Sequence, residues 1–153
     1  MMGTRIKAMI PVVGMLLIFG FTVVAVTRQA REVRQTLPQS LGELTAARLI
    51  EVRDAGGQTV LTGTLTFADE RDGEVEGEAN LTGAGAAAGA SGKAEVEVSA
   101  EKGGARSQEI ELEARGLAPG ASYTLHLDGR QAGAFNTDAR GAAEFEWSSE
   151  PRR

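Results

Sequence analysis

The amino-acid sequence predicts an all-β antiparallel sandwich of seven or eight short strands, preceded by one N-terminal transmembrane helix. Three observations support this fold class. An uncharged apolar run occupies residues 8–26, and from about residue 47 apolar and polar side chains alternate with a period of two. Turn-forming residues interrupt this alternation at intervals of roughly 8–12 residues, a pattern typical of sandwiches and barrels. The 153 residues are enough for one domain and an anchor.

The apolar run at residues 8–26 predicts a membrane span, because it carries no charge and Thr22 is its one polar side chain. At ~1.5 Å per residue, a helix of this length extends about 28 Å and matches the hydrocarbon core of a bilayer. Residues 1–7 form a short basic head, which favours a cytoplasmic N-terminus and places the later residues outside the cytoplasm. The alternative is a cleaved signal peptide with a small-residue site at residues 23–25, which would leave a secreted or periplasmic protein.

Residues 27–46 are predicted to be a juxtamembrane helix or a solvated linker. Ala30, Val33 and Leu37 recur at near-helical spacing among basic side chains that could reach lipid phosphates. Pro38 ends any helix at the residue before it, because its ring disfavours helical backbone there.

Residues 47–149 are predicted to form the sandwich domain, and residues 150–153 a C-terminal tail. Each predicted strand has one side that faces solvent and one that faces the core, as antiparallel sheets allow. The alternating stretches are 47–53, 59–67, 74–81, 93–100, 109–115, 123–128, 131–136 and 143–147.

Residues 116–127, GLAPGASYTLHL, resemble the GLxPGTxYxVxV corner of fibronectin type III-like sandwiches. This resemblance implies an immunoglobulin-like architecture in which Leu117 fills the core and Pro119 begins a turn. It also implies that the Tyr123 hydroxyl returns to the upstream backbone, as in a tyrosine corner. Two strand-like segments follow the corner where a fibronectin module has one. A fold resemblance does not assign a function.

Composition excludes several classes of function. The chain has no cysteine, so disulfides, thiolate catalysis and Cys-ligated zinc are excluded. Its single histidine excludes a multi-histidine metal site within one chain. The net charge of −5 repels phosphates, which argues against nucleic-acid binding. We therefore predict no cofactor, and no compact loop matches a calcium-binding motif.

His126 is the one candidate for acid–base chemistry, and its position predicts a surface histidine. It alternates with apolar neighbours and should point outward. Ser122 and Asp128 lie four and two residues away on the same side, and two strand residues span ~7 Å, which is too long for a triad. We therefore predict no catalytic residue and no enzymatic activity.

Glutamates recur at alternate positions of four predicted strands and form the candidate interaction face. Its residues are Glu76, Glu95, Glu97, Glu111, Glu113, Glu144 and Glu146. On paired strands these side chains would cover one face with carboxylates, which could dock a basic partner or bind Ca²⁺ weakly. The same charges could instead keep a sheet face soluble and prevent aggregation.

These observations predict a single-pass membrane protein, held in the bilayer by residues 8–26. Its non-catalytic domain would act outside the cytoplasm in adhesion, as an envelope scaffold or as an interaction module with a protein partner. The alternative is a secreted or anchored sandwich that binds calcium or carbohydrate through its acidic face. A third alternative, an accessory enzyme domain, would have to work with carboxylates alone, as glycosidases do.

Overall fold

The computed structural model describes residues 33–69, 73–100, 104 and 106–149, and within them the chain is all-β. The strands are β1 Val33–Thr36, β2 Leu49–Asp54, β3 Thr59–Thr64, β4 Thr66–Asp69, β5 Val75–Gly83, β6 Ser91–Ala100, β7 Arg106–Arg115, β8 Ser122–Leu127, β9 Arg130–Asn136 and β10 Ala143–Ser148. Short 3₁₀ turns lie at Gln39–Leu41, Leu44–Ala46 and Gly85–Ala87. The predicted span at residues 8–26 lies outside the described residues. In the ranges that are described, no helix has the length and apolar character needed to cross a bilayer.

All ten strands belong to one sheet, in the order β1-β10-β7-β6-β5-β3-β2-β8-β9, with β4 paired to β5. Every pairing is antiparallel except that of β1 with β10. The predicted arrangement of two stacked sheets is therefore wrong in this respect, because hydrogen bonding continues from strand to strand without a break. The sheet curls into a nearly closed barrel, which shields its own edges.

Gln35 joins the two ends of the sheet across the seam between β1 and β9. Its Nε2 donates a hydrogen bond to the carbonyl oxygen of Ala134 on β9, at 2.8 Å. Its Oε1 accepts a hydrogen bond from Trp147 Nε1 at 3.3 Å. One side chain thus replaces the backbone ladder that a fully closed barrel would have at this position.

Apolar side chains from the inward positions of the strands fill the barrel. Trp147 on β10 is fully buried, and its ring lies 6.3 Å from that of Phe135 and 5.8 Å from that of Phe145, between centroids. Trp147 also packs on the backbone of Gly133, where an added Cβ would lie 1.9 Å from Nε1. Glycine is therefore required at residue 133, and the indole spans the lumen between β10 and β9.

The strand β1 occupies a stretch that was predicted to be a helix or a linker, and for residues 33–36 that prediction is wrong. Val33 lies opposite Phe145, and Thr36 lies opposite Ser148. The edge of β10 supplies hydrogen-bond partners for these residues, whereas a short isolated helix is marginal in water. Residues 33–36 therefore belong to the same sheet as the strands that follow residue 47.

The corner predicted at residues 116–127 is confirmed as a local structure. The backbone N–H of Ala118 donates a hydrogen bond to the Tyr123 hydroxyl at 3.0 Å. Leu117 is buried with 4% exposure, and Gly120 adopts a φ of 64° in the turn. Thr137 adds a second tie, because its Oγ1 donates to the Ala118 carbonyl at 2.6 Å.

The two ends of the barrel differ in how they are closed. Four loops lie at the end where β1 begins, namely residues 55–58, 84–90, 116–121 and 137–142, and we call this the loop end. Residues 37–48 cross the opposite end, which we call the strap end. Leu44 from the strap is 2% exposed, and its backbone N–H donates to Gln108 Oε1 at 2.7 Å.

Candidate functional site

The seven predicted interaction residues all lie on the outer surface of β5, β6, β7 and β10. Their neighbours along each strand point inward and most of them are buried, as the alternation predicts. Glu78 and Glu109 lie on the same surface, so we define the glutamate face by nine residues. They are Glu76, Glu78, Glu95, Glu97, Glu109, Glu111, Glu113, Glu144 and Glu146.

The register of the strands aligns these glutamates in rows across the sheet. In the central row, Glu78 lies opposite Glu95 and Glu95 opposite Glu111, which in turn lies opposite Glu146. Directly opposed residues have Cβ atoms only ~4.5–5.5 Å apart, and like charges placed in this way are destabilising. Four successive strands therefore carry a continuous line of carboxylates.

Shorter rows flank the central one on both sides. Towards the strap end, Glu76, Glu97 and Glu109 lie opposite one another on β5, β6 and β7. Towards the loop end, Glu113 lies opposite Glu144. The carboxylates thus cover an area of the barrel wall rather than a single line, and their density is greater towards the strap end.

This crowding makes two of the carboxyl groups harder to ionise. The pKa of Glu111 is raised above 4.5. Desolvation by the surrounding side chains is the largest cause, and repulsion by the charges of Glu95 and Glu113 adds to it. The pKa of Glu97 is raised in the same way, first by desolvation and then by a hydrogen bond and charge repulsion from Glu74. In the folded state, the ionised form of these two carboxyl groups is therefore less favourable than it is in water.

Lys93 shows how the glutamate face receives a cation. Its ammonium group donates a hydrogen bond to Glu78 Oε1 at 2.9 Å and another to Glu95. These two contacts raise the pKa of Lys93, because both carboxylates stabilise its charge. A single lysine from the neighbouring row is thus held between two strands.

Glu146 differs from the other members of the face, because it is buried with 5% exposure. It lies opposite Glu111 on β7 and opposite Arg34 on β1. The central row therefore runs from solvent at β5 into a more enclosed position at β10.

The geometry of the glutamate face does not resemble a metal centre. Over the described ranges, no group of three or more His, Asp and Glu side chains could hold a metal ion. Side chains on a sheet stand roughly parallel to one another, whereas a calcium site needs six to eight oxygens that converge on one point. The arrangement suits several separate cationic groups better than one ion.

His126 points outward, and its contacts are with other polar groups of β8 and its turn. Its Nε2 lies 3.0 Å from Thr124 Oγ1, and its Nδ1 lies 3.4 Å from the carbonyl oxygen of Gly129. Asp128 accepts hydrogen bonds from the backbone N–H groups of Arg48 in the strap and Leu49 on β2, and Ser122 donates one to an asparagine on β9. The two residues considered as triad partners are therefore engaged elsewhere.

A cleft in the surface, which we call the aromatic cleft, was not predicted from the sequence. It has a volume of about 350 Å³ and lies at the loop end beside the seam. Its lining residues are Gln35, Asp54, Ala55, Ser122, Tyr123, Thr124, Ala134, Phe135, Asn136 and Phe145. Three aromatic residues come from three strands, and only closure of the barrel brings them together.

Comparison of the chain with protein-family models, with curated proteins and with solved structures gives no match. The resemblance to the fibronectin type III corner is one of local structure, in which Leu117 and Tyr123 occupy the expected positions. Functional inference depends on the glutamate face and on the aromatic cleft.

Proposed function

We propose that this chain is a non-catalytic binding module, held in a membrane by residues 8–26, which docks a basic protein partner on the glutamate face outside the cytoplasm. The observation that carries this proposal is the alignment of glutamates in register across four neighbouring strands. The corner at Tyr123 supports a distant relation to immunoglobulin-like sandwiches, and the proposed function does not depend on that relation.

The distribution of charge favours docking over a role in solubility alone. A soluble surface needs charges of both signs that are interspersed. Here the carboxylates are concentrated on one side of the barrel, whereas outward positions of β3 carry Thr62 and Thr64. Directly opposed like charges destabilise a sheet, and a partner rich in Lys and Arg would relieve that repulsion. The two contacts of Lys93 illustrate the expected mode of binding.

Site-specific photocrosslinking in cells that produce the full chain tests the docking proposal. A photoreactive amino acid at Glu95 samples the glutamate face, and one at Thr62 is the matched control on the outer surface of β3. We expect adducts from residue 95 in which the crosslinked partner peptide is rich in Lys and Arg. The double variant Glu97→Gln/Glu111→Gln should lower the yield of these adducts several-fold.

Two results would contradict the docking proposal. Equal adducts from residues 62 and 95 would show that the face has no preference for a partner. An unchanged yield in the double variant would show that its carboxylates do not recruit one.

Calcium binding is the alternative use of the same face, and a thermal melt distinguishes it. Because the side chains do not converge, we expect millimolar CaCl₂ to leave the Tm unchanged. A saturable rise in Tm that disappears in Glu95→Gln would favour the calcium alternative. Recovery of the mature protein in the aqueous fraction, beginning near Val26, would contradict anchoring itself.

A further inference from the structure

We propose that the aromatic cleft binds an acyl chain of a membrane lipid. This inference depends on the anchoring proposed above and goes beyond it, because it assigns a ligand to a second site on the barrel. It is carried by the chemistry of the cleft and by its position relative to the N-terminal apolar run.

The walls of the cleft suit hydrocarbon. Phe135 lies between Tyr123 and Phe145, with ring centroids 5.7 and 5.3 Å away. Phe145 is only partly buried, so its ring forms an open wall. Ala55 and Ala134 add small apolar surfaces on either side. A volume of about 350 Å³ with aromatic walls and a few polar groups at the rim is in the range of sites for small apolar ligands.

The rim of the cleft argues against a charged ligand. The lining residues include no Lys, Arg or His that could hold an anionic headgroup. Asp54 is the one charged residue among them, and its Oδ1 accepts hydrogen bonds from the backbone N–H groups of Gly56 and Gln58, both at 2.9 Å. This carboxylate is thus used to hold the β2–β3 turn. The remaining polar groups are amides and hydroxyls, which are compatible with the uncharged ester region of a lipid.

The cleft lies at the end of the barrel that is tethered to the apolar run. β1 begins at Val33, opposite Phe145 in the wall of the cleft. The run ends at Val26, and the seven residue steps between Val26 and Val33 extend at most about 25 Å even when fully stretched. With residues 8–26 anchored as proposed, the bilayer surface lies within about this distance of Val33, which is next to the cleft wall.

The rest of the barrel is consistent with this orientation. The loop at residues 84–90 contains only Ala and Gly and lies at the loop end. The glutamate face is most densely charged towards the opposite end, away from anionic lipid. Two other crevices, of about 390 and 260 Å³, border the strap, and charged side chains such as Glu43, Arg106 and Asp128 line them. The aromatic cleft is therefore the best placed of these three concavities to take an acyl chain.

Quenching of tryptophan fluorescence by brominated lipid tests the proposal. Trp147 is the single tryptophan of the chain, and its ring centroid lies 5.8 Å from that of Phe145 in the cleft wall. The full chain is reconstituted in phosphatidylcholine vesicles with brominated or unbrominated acyl chains. We expect at least twofold lower emission in brominated vesicles, because the buried indole is within short range of a chain in the cleft.

Variants that obstruct the cleft provide the control. Ala134→Phe adds a ring at the exposed rim of the cleft on β9, where it obstructs the opening, and Ser122→Phe adds one at the rim on β8 should the first variant not fold. Ala68→Phe adds the same ring to an exposed position on β4, away from the cleft. We expect the obstructed variants to lose the quenching and Ala68→Phe to retain it.

Flotation of the same vesicles separates this proposal from anchoring. Failure of the chain to float with the vesicles would contradict anchoring. Flotation with equal quenching in wild type and Ala134→Phe, or with no quenching at all, would contradict lipid binding in the cleft alone. A shift of Trp147 emission that depends on protein concentration and not on vesicles would indicate that a second copy covers the cleft, and would also overturn the proposal.

Discussion

Two regions of the outer surface of the barrel shift the pKa of a glutamate in opposite directions. On β2, Glu51 accepts a hydrogen bond from Arg53 Nη2 at 2.7 Å and another from Thr59 Oγ1 at 2.8 Å. These contacts, the one to Arg53 first, lower the pKa of the Glu51 carboxyl. On β7, Glu111 faces glutamates on both neighbouring strands, and its pKa is raised. We call the surface around Glu51 the paired face; its residues are Glu51, Arg53, Thr59, Thr124 and His126.

The difference shows that strand alternation alone does not determine what an outward residue contributes. Both glutamates lie at outward positions of well-formed strands, and both are flanked by buried apolar residues. Only the residues placed opposite them differ, since Glu51 lies opposite His126 and Glu111 lies opposite Glu95. The paired face stabilises the barrel. On the glutamate face, the opposed like charges are expected to destabilise it.

The largest expected effect comes from breaking the paired face. Glu51→Gln removes the charge that holds Arg53, and the Glu51 side chain is only 14% exposed. Because a charge-assisted hydrogen bond to a largely buried group is lost, we expect the free energy of unfolding to fall by about 1–3 kcal/mol. Urea denaturation at pH 7 measures this, with Glu111→Gln as the matched control. Equal changes in both variants would remove the distinction between the two faces.

The second largest expected difference between the two faces is in how the stability of the fold depends on pH. Glu97 and Glu111 have folded pKa values above 4.5, so the folded state binds their protons more tightly. Their contribution to stability is therefore present at acid pH and is lost as the pH rises from 4.5 through the folded values. Glu51 has a folded pKa below 4.5, so its contribution is present above 4.5 and is lost as the pH falls through that lower value.

We therefore expect the protein to be more stable in mildly acid solution, near the ordinary glutamate pKa of 4.5, than at neutral pH. Thermal melts between pH 3 and 8 measure the profile. In Glu97→Gln/Glu111→Gln, the fall in stability above pH 4.5 should flatten, while the loss below pH 4.5 should remain. A double variant with the wild-type profile would show that crowding on the glutamate face does not affect folding.

A smaller, stabilising effect is expected from relieving the centre of the glutamate face. Glu111→Gln removes repulsion from Glu95, which lies opposite it, and from Glu113 on the same strand. Because the side chain is exposed and water screens its charge, the gain should be about 0.2–1 kcal/mol at pH 7. Urea denaturation measures it, and Thr62→Val on the outer surface of β3 controls for a generic increase in strand propensity. A loss of stability would indicate that Glu111 makes a favourable contact.

The smallest effect is that of salt. Raising NaCl shortens the range of charge repulsion, so wild type should gain a few tenths of a kcal/mol between low and moderate ionic strength. The gain should be reduced in Glu97→Gln/Glu111→Gln, because fewer repulsive pairs remain. Paired denaturation curves at two salt concentrations measure it, and an equal gain in both proteins would point to a general salt effect instead.

Local patterns predicted the positions of most strands and the outward direction of the glutamates. The period of two placed Ile110 and Leu112 in the core and Glu111 between them on the surface. The motif around Tyr123 likewise predicted its hydrogen bond to upstream backbone, because the partner, Ala118, lies only five residues earlier in the chain. Such features depend on neighbours in the chain, which the sequence displays directly.

The strand β1 shows where local patterns were insufficient. Four residues have too little periodicity to indicate a strand, and their spacing favoured a helix. Their conformation is determined by the edge of β10, more than a hundred residues away in the chain, where Val33 meets Phe145. The aromatic cleft was missed for the same reason, since Tyr123, Phe135 and Phe145 meet only when the seam closes.

By itself, the amino-acid sequence determined where most of the strands lie, which side of each of them faces solvent, and that four strands carry carboxylates at alternate positions. The tertiary structure alone decided that these strands form one curled sheet and not two, and that Glu95 and Glu111 stand directly opposite each other. It also decided that Gln35 and Trp147 hold the seam against β9. The physical reason is that alternation records only whether a side chain faces water, whereas register and closure depend on hydrogen bonds and packing between distant parts of the chain.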